Sequence, residues 1–439
     1  MVHQDRTNLP TVPASLEDVF LWLLPADIPF PRHGNAVVDG RILAAQALAV
    51  WGWADGRTLD ARMKIATPAV QRYFPTTPPI ATRQGLCQAL ATCGDQLVSQ
   101  LNARIFDRLR GLTGCWTTAG RPTFAIDGTK FAAPRTAANQ AAFAAASSNA
   151  GYATQAAAAK AQSVQVMLSV FWHIGSGLPA SWELAPSNSG ERTLALDRIE
   201  QLPSDARIIG DAECVGYPFW SKIINSGRTF VVRVGANVRL LTGLDRRRGQ
   251  SGLVHSWPED AQRDGRPPIP LRLIPVRFRK KKTIWLLTNE LDLDPRRAKE
   301  LYAARWGIEV FFRTVKQNCG KAKLLGRTPD LVRTELQWML LSTWAALFVA
   351  RLHFRAKKQR VELVSPRQVF DALADALRNA AAETLGELDL AECRNADESK
   401  RTTSKASRRY PRKKKRRACG KPKLRKASKE EIDAAIAIL

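Results

Sequence analysis

The sequence predicts an α/β fold in which a strand-containing central domain lies between helical regions. Within residues 116–345, apolar runs typical of strands alternate with helix-like segments. Before and after this region, apolar residues recur every three or four positions, which is typical of amphipathic helices. At 439 residues the chain is also too long for one simple core, so we expect several domains.

The first predicted domain, residues 1–115, is helical. Its helix-like segments are Leu16–Leu24, Arg41–Trp53 and Gln84–Arg110. Proline and glycine residues lie between these segments and mark breaks. A purely structural or dimerising bundle would carry the same pattern, so the pattern alone predicts helices and no activity.

The central domain, residues 116–345, carries the strand signals. The predicted strands are Thr123–Asp127, Val164–Trp172, Pro179–Leu184, Ala206–Asp211 and Thr229–Val234. The predicted helices are Glu191–Leu202 and Phe219–Ile224. Three strands, then helix, strand, helix and strand is the order of a ribonuclease-H-like fold.

A long interval follows the last of these strands. Within it, Leu271–Arg279 and Thr283–Thr288 are strand-like. We therefore expect an inserted β subdomain at about residues 236–290.

The remainder of the chain is predicted to be helical and then basic. Leu336–Ala350 is apolar but shorter than the ~20 residues that a membrane helix requires, so we interpret it as a buried helix. Residues 346–399 form a predicted helical region. Residues 400–439 form a predicted disordered tail with a short terminal helix, since Lys400–Lys429 holds 16 Lys or Arg residues and no acid.

Composition indicates a polyanionic partner. The chain has 67 Lys plus Arg against 40 Asp plus Glu, a net charge of +27 and a pI near 10.3. Its seven cysteines are scattered without a CxxC pair, which is typical of reduced thiols in a cytoplasmic protein. The five histidines are isolated, and none is a catalytic candidate.

Four residues share one stripe of a helix predicted at Leu301–Lys316. At about 100° per residue, Arg305, Glu309 and Lys316 fall within about 60° of Tyr302. One face thus presents a carboxylate beside phosphate-seeking groups. A solvated face with an Arg305–Glu309 pair at i,i+4 would produce the same pattern.

Two aspartates follow apolar strand-like runs upstream. Asp127 closes Thr123–Asp127, and Asp211 closes the run Ile208–Asp211. Either residue alone could be a helix N-cap or a turn former. Together with Glu309, they make the oxygen-only ligand set that a pair of hard divalent cations needs.

These motifs resemble the DDE transposases of bacterial insertion sequences. The stripe matches the Tyr-x2-Arg-x3-Glu-x6-Lys signature of the family-four group at Tyr302, Arg305, Glu309 and Lys316. The Asp-Gly-Thr at Asp127, and Asp211 with its following Gly-Tyr, are similar to the first and second acidic blocks of that family.

The resemblance implies a catalytic triad of Asp127, Asp211 and Glu309 that holds two divalent cations, Mg²⁺ with Mn²⁺ as a substitute. It also implies DNA contacts around the triad. The expected DNA-binding residues are Tyr302, Arg305, Lys316, Trp285, Trp306, Arg313, Lys321 and Lys323.

The two tryptophans have different expected roles. The family resemblance suggests that one tryptophan of the insertion receives a base flipped out at the transposon end, and Trp285 is the candidate. Trp306 lies beside the stripe and could pack under the DNA backbone. Packing in a core is the alternative for each.

The resemblance further implies DNA as partner, at both the terminal inverted repeats of the element and the target. It implies a homodimer in the DNA-bound complex, no membrane association, and a cytoplasmic, nucleoid-associated location. The N-terminal helices would then be placed to recognise a DNA end. Three alternatives stay open: a metal-dependent nuclease on the same fold, an inactive domesticated DNA-binding relative, and a ribosomal or chromatin-like basic binder.

Overall fold

The computed structural model describes most of the chain. The described residues are 12–24, 39–111, 114–143, 164–244, 252–278, 283–318, 323–382, 386–395 and 420–438. Lys321 and most of the basic tail lie outside them.

Among the described residues of the N-terminal region there are four α-helices. They are α1 (Leu16–Leu23), α2 (Gly40–Leu48), α3 (Leu59–Tyr73) and α4 (Arg83–Arg110), with a π-helical turn at Ala49–Trp53 after α2. Side-chain caps set where all four begin: Ser15 for α1, Asp39 for α2, Thr58 for α3 and Thr82 for α4. The sequence missed α3, because Pro68 lies inside that helix and signals a break.

The central sheet contains the five strands predicted from the sequence and one short strand, β1, that was not predicted. They are β1 (Thr117–Thr118), β2 (Arg121–Ala132), β3 (Gln165–His173), β4 (Leu178–Pro186), β5 (Arg207–Gly210) and β6 (Thr229–Val234). β2, β3 and β4 pair antiparallel, whereas β5 runs parallel to both β2 and β6. The parallel strands are buried apolar runs, as expected when helices cover a sheet.

Short helices connect these strands. They are α5 (Ala137–Phe143), α6 (Glu191–Asp197) and α7 (Tyr217–Asn225). Both α6 and α7 were predicted, although α6 ends five residues earlier than expected and a 3₁₀ turn follows it at Ile199–Gln201.

The predicted insertion is a continuation of the same sheet. It contains β7 (Arg239–Thr242), β8 (Leu253–Ser256), α8 (Glu259–Arg263), β9 (Ile269–Val276) and β10 (Ile284–Thr288). β10 pairs antiparallel with β6, so these strands extend the central sheet. Within the described residues the strand order starts at β11 (Lys423–Lys426) and continues β7-β8-β9-β10-β6-β5-β2-β3-β4, with β1 paired to β2.

The helix predicted at Leu301–Lys316 is interrupted. It consists of α9 (Pro295–Ala304), α10 (Trp306–Arg313) and a π-helical turn at Thr314–Asn318. Arg305 is the junction between α9 and α10. A Cβ added to Gly307 would lie 2.9 Å from Nε1 of Trp172 on β3, so glycine lets the start of α10 approach the sheet closely.

Helix α11 (Pro329–Ala356) is the buried helix expected at Leu336–Ala350. It joins the N-terminal helices to the rest of the fold. Trp53 donates to the carbonyl of Ser342 at 3.1 Å, and the Ser342 hydroxyl donates to the carbonyl of Leu48 at 2.9 Å. Among the described helices, none is both long and apolar enough to span a membrane.

The C-terminal region contains α12 (Pro366–Ala381), β11 (Lys423–Lys426) and α13 (Lys429–Ile438). The expected terminal helix is therefore present. The predicted disorder is wrong for residues 423–426, because β11 pairs in parallel with β7 at the edge of the sheet. The basic run Arg412–Arg417 lies outside the described residues.

Candidate active site

The first two acidic candidates belong to neighbouring strands: Asp127 lies on β2, and Asp211 directly follows β5. Ala125 of β2 pairs with Ile209 of β5 in parallel register, so Asp127 and Asp211 are each two residues beyond a matched pair. Adjacent strands lie about 4.8 Å apart, and residues two apart share a face. The prediction that Asp127 ends its strand is wrong, since β2 continues to Ala132 and pairs with β3.

Local hydrogen bonds fix both aspartates. Oδ1 of Asp127 accepts from the backbone N–H of Gly128 at 2.9 Å, and Oδ1 of Asp211 accepts from that of Glu213 at 2.7 Å. The second bond closes an Asx turn directly after β5. Gly210 allows this turn, because an added Cβ would lie 2.5 Å from Cβ of Cys214.

The helix carboxylate meets Asp127 through one guanidinium group. Nη2 of Arg305 donates to Oε1 of Glu309 at 2.7 Å, and Nη1 donates to Oδ2 of Asp127 at 3.3 Å. The Arg305 side chain is 11% exposed, against 19% for Asp127 and 33% for Glu309. Arg305 therefore connects the helix to the sheet across a partly buried acidic cluster.

The other two stripe residues flank this cluster. Tyr302 lies 5.6 Å from the Arg305 guanidinium, and burial raises its pKa. Lys316 donates to the Thr129 hydroxyl at 2.5 Å and lies 5.0 Å from the Phe131 ring, and burial lowers the pKa of Lys316. The stripe thus follows β2 from Asp127 toward its C-terminal end.

Burial and like charge act together on the carboxylates. Burial is the main cause that raises the pKa of Asp127 to about 6. Arg305 and the Gly128 N–H oppose this effect, whereas the charges of Asp211 and Glu309 add to it. The cluster therefore holds surplus negative charge that one guanidinium does not neutralise.

Glu191 is a fourth carboxylate at this site, and the sequence did not identify it. A Cβ added to Gly128 would lie 2.7 Å from Cγ of Glu191. Burial, followed by the charges of Asp127, Glu213 and Asp211, raises the pKa of Glu191 to about 7. In the sequence, Glu191 looks like an ordinary acid in the first turn of a helix.

The donor chemistry of this cluster suits a hard divalent cation, because all its acidic ligands are carboxylate oxygens. Surplus negative charge favours the same ligand. The spacing of the side chains fits a metal ion less well. In the described part of the chain, no three acidic, histidine or cysteine side chains lie close enough together to hold one. Arg305 instead holds Asp127 and Glu309.

The remaining candidates lie away from the triad or at its border. Trp306 is 55% exposed, and Arg313 and Lys323 are also exposed. Trp285 is half-buried on β10, three strands from β2, and the Lys421 ammonium lies 5.4 Å from its ring. Lys321 lies outside the described residues.

Comparison with known proteins identifies the family. A family model described as "Transposase DDE domain" matches residues 118–345, a range that includes all three triad candidates. A Sinorhizobium fredii protein named "Putative transposase y4zB" is 30% identical over 169 residues, covering 37% of this chain. The match spans 46% of that relative's length.

A solved structure is also similar. It is described as a piggyBac transposase synaptic complex with hairpin DNA, and it matches with a TM-score of 0.39 and 12% sequence identity over 78% of this chain and 70% of that chain. The family model alone covers more than half of the present sequence. The chain belongs to the transposase DDE domain family.

Proposed function

We propose that this protein is a DNA transposase of the family-four type that binds the ends of an insertion sequence, cleaves them and joins them to target DNA. The observation that carries the proposal is the convergence of Asp127 and Glu309 on Arg305, with Asp211 in register beside Asp127. Family membership supports the same reaction class.

We also propose that the sheet core is ribonuclease-H-like. The antiparallel β4-β3-β2 unit continues through parallel β5 and β6, and this arrangement supports the proposal. In support of the proposal, Asp127 lies on β2, Asp211 directly follows the adjacent β5, and Glu309 lies on α10.

Asp127, Asp211 and Glu309 would hold the divalent cations, Mg²⁺ or Mn²⁺. When bound, such cations activate the attacking oxygen and stabilise the leaving oxygen of a phosphodiester. Water adds to phosphorus and the 3′ oxygen leaves, so cleavage frees a 3′-OH. That hydroxyl then attacks a target phosphodiester and releases another 3′-OH, with no covalent protein intermediate.

The basic stripe would position the DNA. Arg305 offers a planar fork and Lys316 a point charge to phosphate oxygens, while the Tyr302 hydroxyl can donate a hydrogen bond. When a phosphate binds Arg305, hydrogen bonds to the phosphate can replace those from Arg305 to Asp127 and Glu309. Arg313, Lys321, Lys323, Trp285 and Trp306 would extend these contacts, and the DNA-bound assembly would be a homodimer.

A cleavage and joining assay tests the proposal. The substrate is linear DNA that carries the inverted repeats found on either side of the gene, with Mg²⁺ and a supercoiled target plasmid. We expect wild type to release 3′-OH ends and join them to the plasmid. Asp127→Asn, Asp211→Asn and Glu309→Gln should each abolish both steps while binding to the ends persists.

The assay also separates the alternatives. Cleavage without joining would indicate a nuclease on this fold. End binding without cleavage by wild type would indicate an inactive DNA-binding relative. A folded triad variant that cuts at the normal rate would remove that residue from the site.

A further inference from the structure

A cavity of about 700 Å³ lies between the N-terminal helices and the segment that leads into α11. Its size is within the range of sites for small organic ligands. Trp51, Leu59 and Leu331 supply apolar wall, and Cys87 lines it from α4. None of these residues belongs to the candidate active site.

Basic and amide groups also line this cavity. Three exposed arginines lie on its border: Arg57, Arg83 and Arg327. Two amide side chains lie one turn apart on α4, those of Gln84 and Gln88. Two acidic groups lie nearby. Glu335 forms part of the wall and accepts from the backbone of residues 325 and 326 at 2.6 and 3.1 Å, while Asp60 lies 3.7 Å from Arg83.

The combination suits one ligand class. Arginines bind phosphate, amides can bind the polar edges of bases, and apolar walls accept the face of a base. The excess of arginine over acid favours an anion. A nucleotide combines a phosphate, the polar edges of a base and the apolar face of that base in one molecule.

Backbone contacts connect the cavity to the candidate active site. Residues 323–327 run beside the end of β2. Lys323 forms an isolated parallel β-bridge with Ala132, and the Thr136 hydroxyl donates to the carbonyl of Arg327 at 2.8 Å. Lys316, which donates to the Thr129 hydroxyl, lies between these contacts and Asp127. A neighbouring cavity of about 380 Å³ shares Arg57 and includes Lys323.

This arrangement forms a basic path from Lys316 through Lys323 to Arg327. From Asp127 to Ala132 the strand spans about 17 Å, at roughly 3.3 Å per residue. A DNA strand whose reacting phosphate lies at Asp127 can therefore follow this path to the cavity. We propose that the cavity binds one unpaired nucleotide of that strand, an inference that rests on the proposed function.

Oligonucleotide binding tests the inference without catalysis. The probes are a fluorescent five-nucleotide oligothymidylate and an analogue with the same phosphates and no bases, measured by anisotropy in EDTA. We expect wild type to bind the thymidylate at least about fivefold more tightly. Cys87→Trp fills the cavity, so it should reduce this preference to less than about twofold.

A second variant tests the phosphate contacts at exposed positions. The double substitution Arg57→Ala and Arg327→Ala should weaken binding of both probes by about tenfold or more. Arg296→Ala, which removes an exposed arginine of α9, is the matched control and should change affinity less than about twofold. An equal loss in the control would contradict the inference.

Photo-crosslinking requires no variant. A 4-thiothymine base in the same oligonucleotide should crosslink to the α4 peptide that contains Gln84 and Cys87. Equal wild-type affinity for the two probes, or crosslinks only elsewhere, would overturn the inference. Because EDTA prevents cleavage, this result is independent of whether the protein transposes DNA.

Discussion

Arg305 binds the carboxylate of Glu309 at 2.7 Å across the junction where α9 ends and α10 begins. The same guanidinium reaches Asp127 at 3.3 Å. One cation thus faces two carboxylates, and Asp211 adds repulsion from the neighbouring strand. Arg305 therefore links the helix carboxylate and the strand carboxylate through one internal ion-pair network.

Removal of Arg305 should make the acidic cluster a better site for divalent cations in the absence of DNA. Arg305→Ala leaves Asp127 and Glu309 without their shared partner, so Mn²⁺ affinity measured by calorimetry should increase by about threefold to tenfold. Arg296→Ala is the control. Unchanged or weaker Mn²⁺ binding in Arg305→Ala would show that Arg305 does not compete with a cation.

Asp127→Asn should stabilise the protein at neutral pH even though it stops cleavage. The ordinary Asp pKa of 3.8 rises to about 6 in the folded chain, so ionisation lowers stability as pH increases between these values. Asparagine removes this cost, and we expect a gain of about 1–3 kcal/mol at pH 7.

The measurement is denaturant unfolding of both proteins at pH 4 and pH 7. The gain should shrink toward pH 4, where Asp127 is protonated in the folded chain. Asp205→Asn, at an exposed position, serves as the control. A constant gain at both pH values would contradict the titration of Asp127 as its cause.

The catalytic stripe and the basic tail should affect different steps. Lys316→Ala removes one contact beside the reacting phosphate, where misalignment of about 1 Å costs on the order of a hundredfold in rate. Replacement of the Lys and Arg residues in 400–417 by Ser should instead lower nonspecific DNA affinity and make its salt dependence shallower.

Single-turnover cleavage at saturating protein distinguishes these two effects. The stripe variant should react slowly when fully bound, and the tail variant should react normally. The opposite pattern would mean that we have exchanged the roles of the two basic regions.

Glu290→Gln should destabilise the fold strongly. Glu290 forms a two-pronged pair with Arg207 at 2.6 and 2.7 Å, and the Arg207 side chain is only 3% exposed. Breaking a buried pair leaves an uncompensated charge and costs about 3–5 kcal/mol. The exposed Glu300→Gln should cost less than about 1 kcal/mol.

This pair also predicts acid sensitivity. Burial alone would raise the pKa of Glu290, but hydrogen bonds from Arg207 and Thr229 outweigh it and hold the pKa below 4.5. The contribution is therefore present above the ordinary pKa and is lost as pH falls through the lowered one. Urea unfolding of wild type and Glu290→Gln from pH 7 to pH 3 should show the two stabilities converging.

Short-range patterns were enough to predict the strands that carry Asp127 and Asp211, because buried apolar runs identify strands directly. They were not enough for Glu191, whose proximity to Asp127 depends on a missing side chain at Gly128. The break at Arg305 also has no proline signal. It accompanies the close packing of Gly307 on Trp172, a contact between distant parts of the chain.

Strand β11 was unpredictable for a similar reason. Its sequence, Lys-Leu-Arg-Lys, has little apolar character, and its order comes from parallel pairing with β7, far earlier in the chain. Charge alone favoured disorder there. Tertiary pairing overrides such local preference.

The position of β11 has a consequence for how the protein behaves in solution. Its four residues are exposed, and Lys423, Arg425 and Lys426 place positive charge along the outermost strand of the sheet. Charged outer strands resist pairing with strands of other molecules. A chain shortened before residue 420 would present β7 at the sheet edge instead, so we expect it to self-associate more readily than the full chain.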